Sequence, residues 1–512
     1  MFNSYDQIPY MGRVHRFTHV EKLSACAKLF SHPAPSIENC RVLGLGCGNG
    51  TNLINMAYQL PNAQFVGIDG SQSHIDTGTE IIRALDLHNI VLQKHDIATL
   101  DQSLGMFDYI ICHGVFSWVP PLVRKKILQI VHQQLTPDGL AYISYNTLPG
   151  WRMGSIIRNM MKYHAQKMNT NEAKISQARA IVNFVNENLQ YPDSPYGKYI
   201  HSTVDYILKA SDDYIFHEYL EEENQAFYFH EFDQQLRDNH LQYFGDCEFA
   251  TMSTMHYPEK TRETLDMLGH TLQEQEQYMD FLRFRRFRCS VITHANKPIN
   301  RVVNLDPFTQ LFYSFRPPLL TTEETENINS QLPKEEEALA VLQMIIQKDG
   351  ERFKPATNLS LYRTVILELS RRWPSAVHFT ELLEMYGRLV GRPATDEDKF
   401  DLAILFQAMF LKGLIGIHQM SPQMTNTLSE RPIAAPLARY QAGVQTLVST
   451  QRHFMIALED DATRMTLQML DGKHTIEQIR EKLIDTFVRD IPMEIFLDGA
   501  LESMMTNGLI IA

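Results

Sequence analysis

The stretch RVLGLGCGNGTNLINMAYQLPNAQFVGID, from Arg41 to Asp69, places glycine at every second position from 44 to 50 and then closes an apolar run on an aspartate. Glycines this dense interrupt both strand and helix, and they mark a turn whose backbone can adopt positive φ and pass close to a ligand. Their spacing restricts what that ligand is. A dinucleotide fingerprint requires G-x-G-x-x-G or A, but counting from Gly44 puts Asn49 in the last place and counting from Gly46 puts Thr51 there. The pattern therefore argues against a nicotinamide or flavin. What remains is a G-x-G-x-G turn, Gly46, Gly48 and Gly50, between strand-like RVLGL and the amphipathic helix NLINMAYQL. Such a turn suits a ligand without a diphosphate.

The next hundred residues alternate regularly. After QFVGID come helix-like SHIDTGTEIIRALDL, strand-like NIVLQKHD and FDYIICHG, helix-like PPLVRKKILQIVHQQL and strand-like GLAYISYN. This order predicts an α/β domain with a parallel sheet covered by helices. In such a sheet a ligand sits beyond the carboxyl ends of the strands, where the strand order reverses. Asp69 and Asp96 each close a strand at that edge. Asp69 can accept two ribose hydroxyls, and Asp96 can accept from an adenine amino group while Ile97 covers the ring. Over about residues 35 to 150 the chain resembles the class I methyltransferases that use S-adenosylmethionine. The resemblance implies a Rossmann-like catalytic domain with Gly46, Gly48, Gly50, Asp69, Gly70, Asp96, Ile97 and His113 around the cofactor. Two positions depart from the family pattern. Gly44 stands where many members carry an acid that helps hold the methionine amino group, and Gly70 stands where larger residues are common.

Composition narrows the function classes. The 512 residues suffice for about three domains with sizeable cores, since 44% are hydrophobic. A net charge of -13 disfavours nucleic acid as a partner through bulk electrostatics. No apolar run reaches the ~18 residues of a membrane helix, and the start, MFNSYDQIPYMGR, has neither the basic cluster nor the apolar core of an export signal. The six cysteines form no C-x-x-C and read as buried thiols in a reducing, cytoplasmic setting. His217-Glu218 and His230-Glu231 do not form H-E-x-x-H, so no metal is expected and both pairs read as packing and capping groups.

Past the first sheet the chain becomes helical and aromatic. In EQYMDFLRFRRFRCSVITH, four arginines (Arg283, Arg285, Arg286, Arg288) interleave with Phe281, Phe284 and Phe287. Such mixing can grip single-stranded nucleic acid, but in an acidic chain it reads better as a helix that packs its phenylalanines and gives its arginines to the acidic segment upstream. Together with NSYDQIPY, HGVFSWVPP, SYNTLPGW and the segment Ser211 to Met252, this stretch resembles bacterial methyltransferases carrying a methyltransferase regulatory domain. That group includes lysine methyltransferases acting on outer-membrane proteins. The likeness runs from about residue 3 to 295 and implies a middle domain for dimerisation or substrate handling, with Tyr5 and Tyr10 on an amino-terminal lid. Beyond a polar boundary at Glu326 to Gln343, two segments each end on a helix stopped by glycine and followed by an apolar strand, at Gly413-Leu414-Ile415 and Gly508-Leu509-Ile510. They read as winged-helix-like units for protein contact, since residues 431 to 512 hold 8 Lys and Arg against 11 Asp and Glu. The expected organisation is a catalytic domain over 1–165, a mostly helical middle domain over 166–330, and winged-helix-like units over 331–425 and 426–512. The two carboxy-terminal units are expected to recruit the acceptor and take no part in chemistry.

Methyl transfer is an in-line displacement that needs an aligned nucleophile at about 3 to 3.5 Å and exclusion of water. A lysine acceptor must first lose its proton, which an apolar channel and a nearby sulfonium charge both favour. The residues after the fourth and fifth strands, Phe116, Trp118, Tyr145 and Trp151, are the expected lining, joined by Tyr5 and Tyr10 for the acceptor. His113 and Tyr145 stand where a proton acceptor is needed. Three functions follow: a protein lysine methyltransferase acting on a protein substrate, favoured by the large helical appendage; a small-molecule or lipid methyltransferase; and an inactive interaction protein retaining the fold.

Overall fold

A computed structural model describes residues 4–254, 257–316, 359–488 and 491–512. Its centre is a seven-stranded sheet: β1 (Arg41–Leu45), β2 (Gln64–Asp69), β3 (Ile90–Lys94), β4 (Phe107–Cys112), β5 (Leu135–Asn146), β6 (Leu241–Asp246) and β7 (Phe287–His294). The order across the sheet is β3-β2-β1-β4-β5-β7-β6. The first five strands are parallel, and β7 runs antiparallel between β5 and β6. β1, β4 and β5 are buried along nearly their whole length, as strands covered on both faces must be, which is why they read as apolar runs and not as alternation. The strand order reverses between β1 and β4. The crevice at that switch point lies between the glycine turn after β1 and His113-Gly114 after β4.

The two strands β6 and β7 correct the expected boundary at residue 165. The catalytic sheet is completed by residues 241–294, which the sequence assigned to a helical middle domain, and the helices between them form an excursion from the carboxyl end of β5. That excursion holds the helices Trp151–Ala165, Asn171–Glu187, Pro195–Lys209 and Phe229–Asp238. The arginine-phenylalanine run is likewise not one helix. The helix Leu272–Arg283 stops at Phe284, which caps it with φ 51°, and β7 starts at Phe287. Phe281, Phe284 and Phe287 stay exposed, contrary to the packing expected of them.

The arginines do meet acids. Arg288, fully buried on β7, donates from Nε to Asp280 Oδ2 at 2.9 Å, from Nη1 to Asp246 Oδ2 at 3.0 Å and from Nη2 to Glu276 Oε2 at 2.8 Å. Arg285 pairs with Asp246 at 2.8 Å. Three carboxylates and two guanidiniums thus join β6, β7 and the helix Leu272–Arg283 in one dry cluster.

The carboxy-terminal part holds two units. In the first, helices Leu359–Arg371, Phe379–Val390 and Asp396–Leu411 pack on a small sheet of Phe312–Ser314, Val377–His378 and Gly416–His418. Phe312–Ser314 precedes the expected boundary at 331, so the unit begins earlier than the sequence suggested; the proposed linker Glu326 to Gln343 lies outside the described residues. The second unit sets four helices, Pro436–Ala442, Asp461–Met469, Ile476–Thr486 and Met493–Thr506, around the hairpin Leu447–Ser449 and Met455–Ala457. Gly413 at φ 70° and Gly508 at φ 72° end the helices Asp396–Leu411 and Met493–Thr506. One apolar core runs from Val42 and Leu53 through Phe244 and Phe308 to Phe410 and Leu437, so the first carboxy-terminal unit is not separable from the catalytic sheet. Among the described residues, no helix is long and apolar enough to cross a membrane.

Replacing Arg288 by Met leaves three carboxylates in a dry core with Arg285 alone to neutralise them. The expected loss of stability is about 3 to 5 kcal/mol, the range for breaking a buried ion pair from one side, read as a lower urea midpoint with near-unchanged slope.

Candidate active site

The glycine turn has the conformation its composition demands: Gly46, Gly48 and Gly50 lie at φ 64°, 55° and 73°. A methyl group added at Gly48, or at Gly114 (φ 68°) across the crevice, would meet no atom within 4 Å, so both backbones border open space. Asp69 braces the turn. Its Oδ2 accepts from Gly48 N at 2.8 Å and its Oδ1 from Ser71 N at 2.9 Å, with His74 Nδ1 3.4 Å away. Gly70 is exposed beside it. Asp96 is exposed after β3 and uses Oδ1 to cap the short turn Ile97–Thr99, accepting from Ala98 N at 2.9 Å. Ile97 sits mostly in the core with Leu43 and Ile68. At Gly44 an added Cβ would lie 2.6 Å from Leu53 Cδ1, which explains the missing acid: Leu53 fills the place where its side chain would stand.

His113, at the end of β4, hydrogen-bonds through Nδ1 to the Tyr142 hydroxyl at 2.8 Å and stacks on His15 at 3.7 Å. Burial, reinforced by His15, pushes its pKa well below the usual imidazole range, so it is neutral at pH 7. Tyr142 is a site residue the sequence reading missed. It is three positions from Tyr145 on β5, and successive side chains of a strand alternate faces. Tyr145 therefore points the other way, stacked on Phe232 at 4.0 Å with its hydroxyl buried and unpartnered, and it is not available as a proton acceptor. Phe116 is corrected as well: it is fully buried between Phe227 and Phe232 and lines nothing. Trp118 and Trp151 do come together, edge to face at 6.2 Å, with the Arg158 guanidinium 5.6 Å over Trp118 and Trp151 Nε1 donating to Asn224 at 2.8 Å.

Over the crevice runs an amino-terminal strap, residues 4–19, fastened on three sides. On the catalytic domain, Tyr10 N donates to His74 Nε2 at 3.1 Å, Ser71 Oγ to Asp6 at 2.6 Å and His15 N to Asn52 Oδ1 at 3.0 Å. From the helical excursion, Asp213 accepts from Met11 N at 3.0 Å, while His217 stacks parallel on Tyr5 at 4.1 Å and bonds Ile8 O at 2.6 Å. From the last unit, His453 Nε2 reaches Asn52 Oδ1 at 2.9 Å, and Asn55 holds His453 Nδ1 at 3.1 Å. His453 adopts φ 59° to make this reach. The carboxy-terminal end thus shares in the floor of the strap through Asn52. Gly12 fits closely: an added Cβ would lie 1.9 Å from Asn49 Oδ1 and 2.5 Å from Thr51 Oγ1. Next to it Arg13 keeps a buried Nε with no partner.

Comparison with known proteins agrees with this architecture. Residues 36–209 match a methyltransferase domain, 211–294 a predicted methyltransferase regulatory domain and 430–491 the PKMT C-terminal winged helix domain. An uncharacterised protein of Rickettsia prowazekii is 33% identical over 488 residues, covering 94% of this chain and 86% of its own length. A second protein of the same organism is 40% identical over 229 residues, 45% of this chain and 92% of its own. The structure of PKMT2 from Rickettsia typhi in complex with AdoHcy superposes with a TM-score of 0.82 at 29% identity, covering 98% of this chain and 100% of that one. The chain belongs to this family of S-adenosylmethionine-dependent methyltransferases. In the methyltransferase, the open glycine turn, the braced carboxylate of Asp69 and the orphaned guanidinium nitrogen of Arg13 fit a donor with a ribose at one end and an amino-acid carboxylate at the other.

Two variants test the pocket. Asp69→Ala removes the turn brace together with the carboxylate expected to accept the ribose hydroxyls, and is expected to weaken S-adenosylmethionine binding by about 1.5 to 3 kcal/mol in titration calorimetry; unchanged affinity in the folded variant contradicts the placement. Gly12→Val drives the strap off Asn49 and Thr51, and limited proteolysis should then cut within residues 4–15 at protease concentrations that leave the parent intact.

Proposed function

We propose that this methyltransferase transfers the methyl group of S-adenosylmethionine to lysine side chains of a protein substrate, with outer-membrane proteins as the candidate class. The observation that carries the reading is the match to PKMT2 along both chains, winged helix included. A methyltransferase for a small metabolite has no use for that whole length. In this reading Gly46, Gly48 and Gly50 let the donor lie against the turn, Asp69 takes the ribose hydroxyls beside the open lip left by Gly70, and Asp96 offers its second carboxylate oxygen to the adenine amino group next to Ile97. Arg13 on the strap holds the methionine carboxylate, an anchor supplied from outside β1, where Leu53 excludes an acid at position 44. The donor supplies a sulfonium methyl. The protein supplies alignment and a dry channel.

The acceptor enters between Tyr5 and Tyr10 on the strap and the Trp118–Trp151 pair. Their aromatic faces attract an ammonium or methylammonium while offering it little solvation. His113, neutral and fixed by Tyr142, orients the reacting groups by hydrogen bonding and is not needed as a strong base. The helical excursion carries exposed Phe184, Tyr191 and Tyr206, a face suited to a second copy in a homodimer.

Incubation with labelled S-adenosylmethionine and a cell-envelope protein fraction, followed by peptide mass spectrometry, should place the label on lysine Nζ. With that acceptor, the single-turnover rate should climb nearly tenfold per pH unit on the acid side, because a proton must leave the amine before attack. Label on oxygen, or on a small molecule alone, refutes the lysine reading.

A further inference from the structure

The helical excursion breaks its regular winding once, at Phe216–Leu220, where Glu221 N donates to Phe216 O at 3.1 Å across five residues. Such widened π turns are uncommon and gather at functional sites. This one lies under the strap. Most charged residues around it are engaged: His217 by Tyr5, Ile8 O and Glu221, Asp213 by Met11 N, Arg158 by the Glu221 and Glu222 carbonyls, and Lys162 by Glu221 O at 2.9 Å. Glu218 is the exception, being largely withdrawn from solvent with no hydrogen bond or ion pair among the described residues. Arg158 and Arg286 act on its carboxylate from a distance, and it acts in turn on Tyr5, Tyr10, Tyr214 and Tyr219. The turn that carries it lies between the strap and the tryptophans: His217, its neighbour in the chain, stacks on Tyr5 at 4.1 Å, and Arg158, bound to the Glu221 and Glu222 carbonyls, lies 5.6 Å over the Trp118 ring.

We propose that Glu218 is a catalytic residue of the acceptor site: it receives the substrate lysine's ammonium group and takes its proton before methyl transfer. The proposal rests on the lysine reading above. The proton passes from R–NH3+ to the Glu218 carboxylate, giving R–NH2 and a neutral acid. The amine lone pair then forms the C–N bond as the C–S bond breaks, its electron pair staying on sulfur as the sulfonium becomes a thioether. The product leaves as R–NH2CH3+, and the acid returns its proton to water. One ammonium and one sulfonium thus become one methylammonium, one thioether and one proton.

The electrostatics suit the task. Burial pushes the Glu218 carboxyl up to about 7, against the pull of Arg158 and Arg286, so near neutrality it can both accept and release a proton. A carboxyl raised in the folded state destabilises the protein as pH rises past its unfolded value near 4.5, and the effect is complete above 7. An unpaired acid kept at such a place works against stability, and a ligand cation gives it a reason to be there.

Glu218→Gln separates these roles. The parent rate should rise with pH and flatten near neutrality, because the glutamate and lysine together need to lose one proton. In Glu218→Gln the amine must lose its proton to water, so the rise should continue to higher pH, with a deficit of at least tenfold at pH 7 that shrinks by pH 9.5. S-adenosylmethionine affinity should be unchanged by calorimetry. The melting temperature should be higher than the parent's at pH 8 and equal to it at pH 5. A lysine product with the same pH profile in both proteins overturns the role of Glu218 alone. An oxygen-methylated product overturns it together with the lysine reading, and a lower melting temperature at pH 8 shows a structural carboxylate and overturns it as well.

Discussion

The pairing of β7 into the edge of β5 is the constraint on which the rest of the molecule depends. Without it β5 would present an open edge, and the chain between residues 151 and 240 would have no fixed relation to the crevice. With it, the excursion must leave from the carboxyl end of β5 and return through β6 to the same sheet. The π turn is thereby held against the amino-terminal strap, although the two lie some two hundred residues apart in the chain. The buried cluster of Arg288 with Asp246, Glu276 and Asp280 locks this arrangement. Each acid finds a guanidinium nitrogen, which is the condition under which charge can be kept in a dry core.

The strap uses the opposite strategy. It buries Val14, Thr18 and His19 near its end, and its first half is held by separated hydrogen bonds and one ring stack, to Ser71 and His74 on the catalytic domain and to Asp213 and His217 on the excursion. Asn52 is shared: its Oδ1 accepts from His15 N and Thr18 Oγ1 and meets His453 Nε2. Burial drives the His453 pKa well below the usual range, so its ring is neutral and the junction carries no charge of its own. A segment held by few, separated bonds can open locally without unfolding the domains below it, which a site closed over both donor and acceptor requires. The shared asparagine couples the position of the last unit to that of the strap.

Set side by side, the two acidic groupings show what burial does with and without partners. Asp246, which meets both Arg285 and Arg288, is held below the usual carboxylate range despite its burial, whereas burial outweighs the arginines at Glu276 and Asp280 and raises both, as it raises the unpaired Glu218. Paired charge fixes the frame. Unsatisfied charge marks the place where something from outside is to bind.

Much of this was readable in the sequence because it depends on local rules. A turn that needs positive φ demands glycine, a strand buried on both faces demands an apolar run, and a carboxylate at a strand end follows from both; Gly46, Gly48, Gly50, Asp69 and Asp96 stand where those rules put them. The winged-helix-like units announced themselves through their helix-stopping glycines. What the sequence did not show is what depends on partners distant in the chain. FLRFRRFR has the composition of a charged helix, and only the free edge of β5 makes its second half a strand. Tyr145 and Tyr142 are indistinguishable until β5 is set in its sheet, after which alternation sends one to His113 and the other into the core. His217-Glu218 resembled any packed polar pair until the strap lay across it. Local sequence decides which conformations a segment can adopt; burial and charge pairing depend on what the folded chain brings alongside, and those were decided by tertiary structure alone.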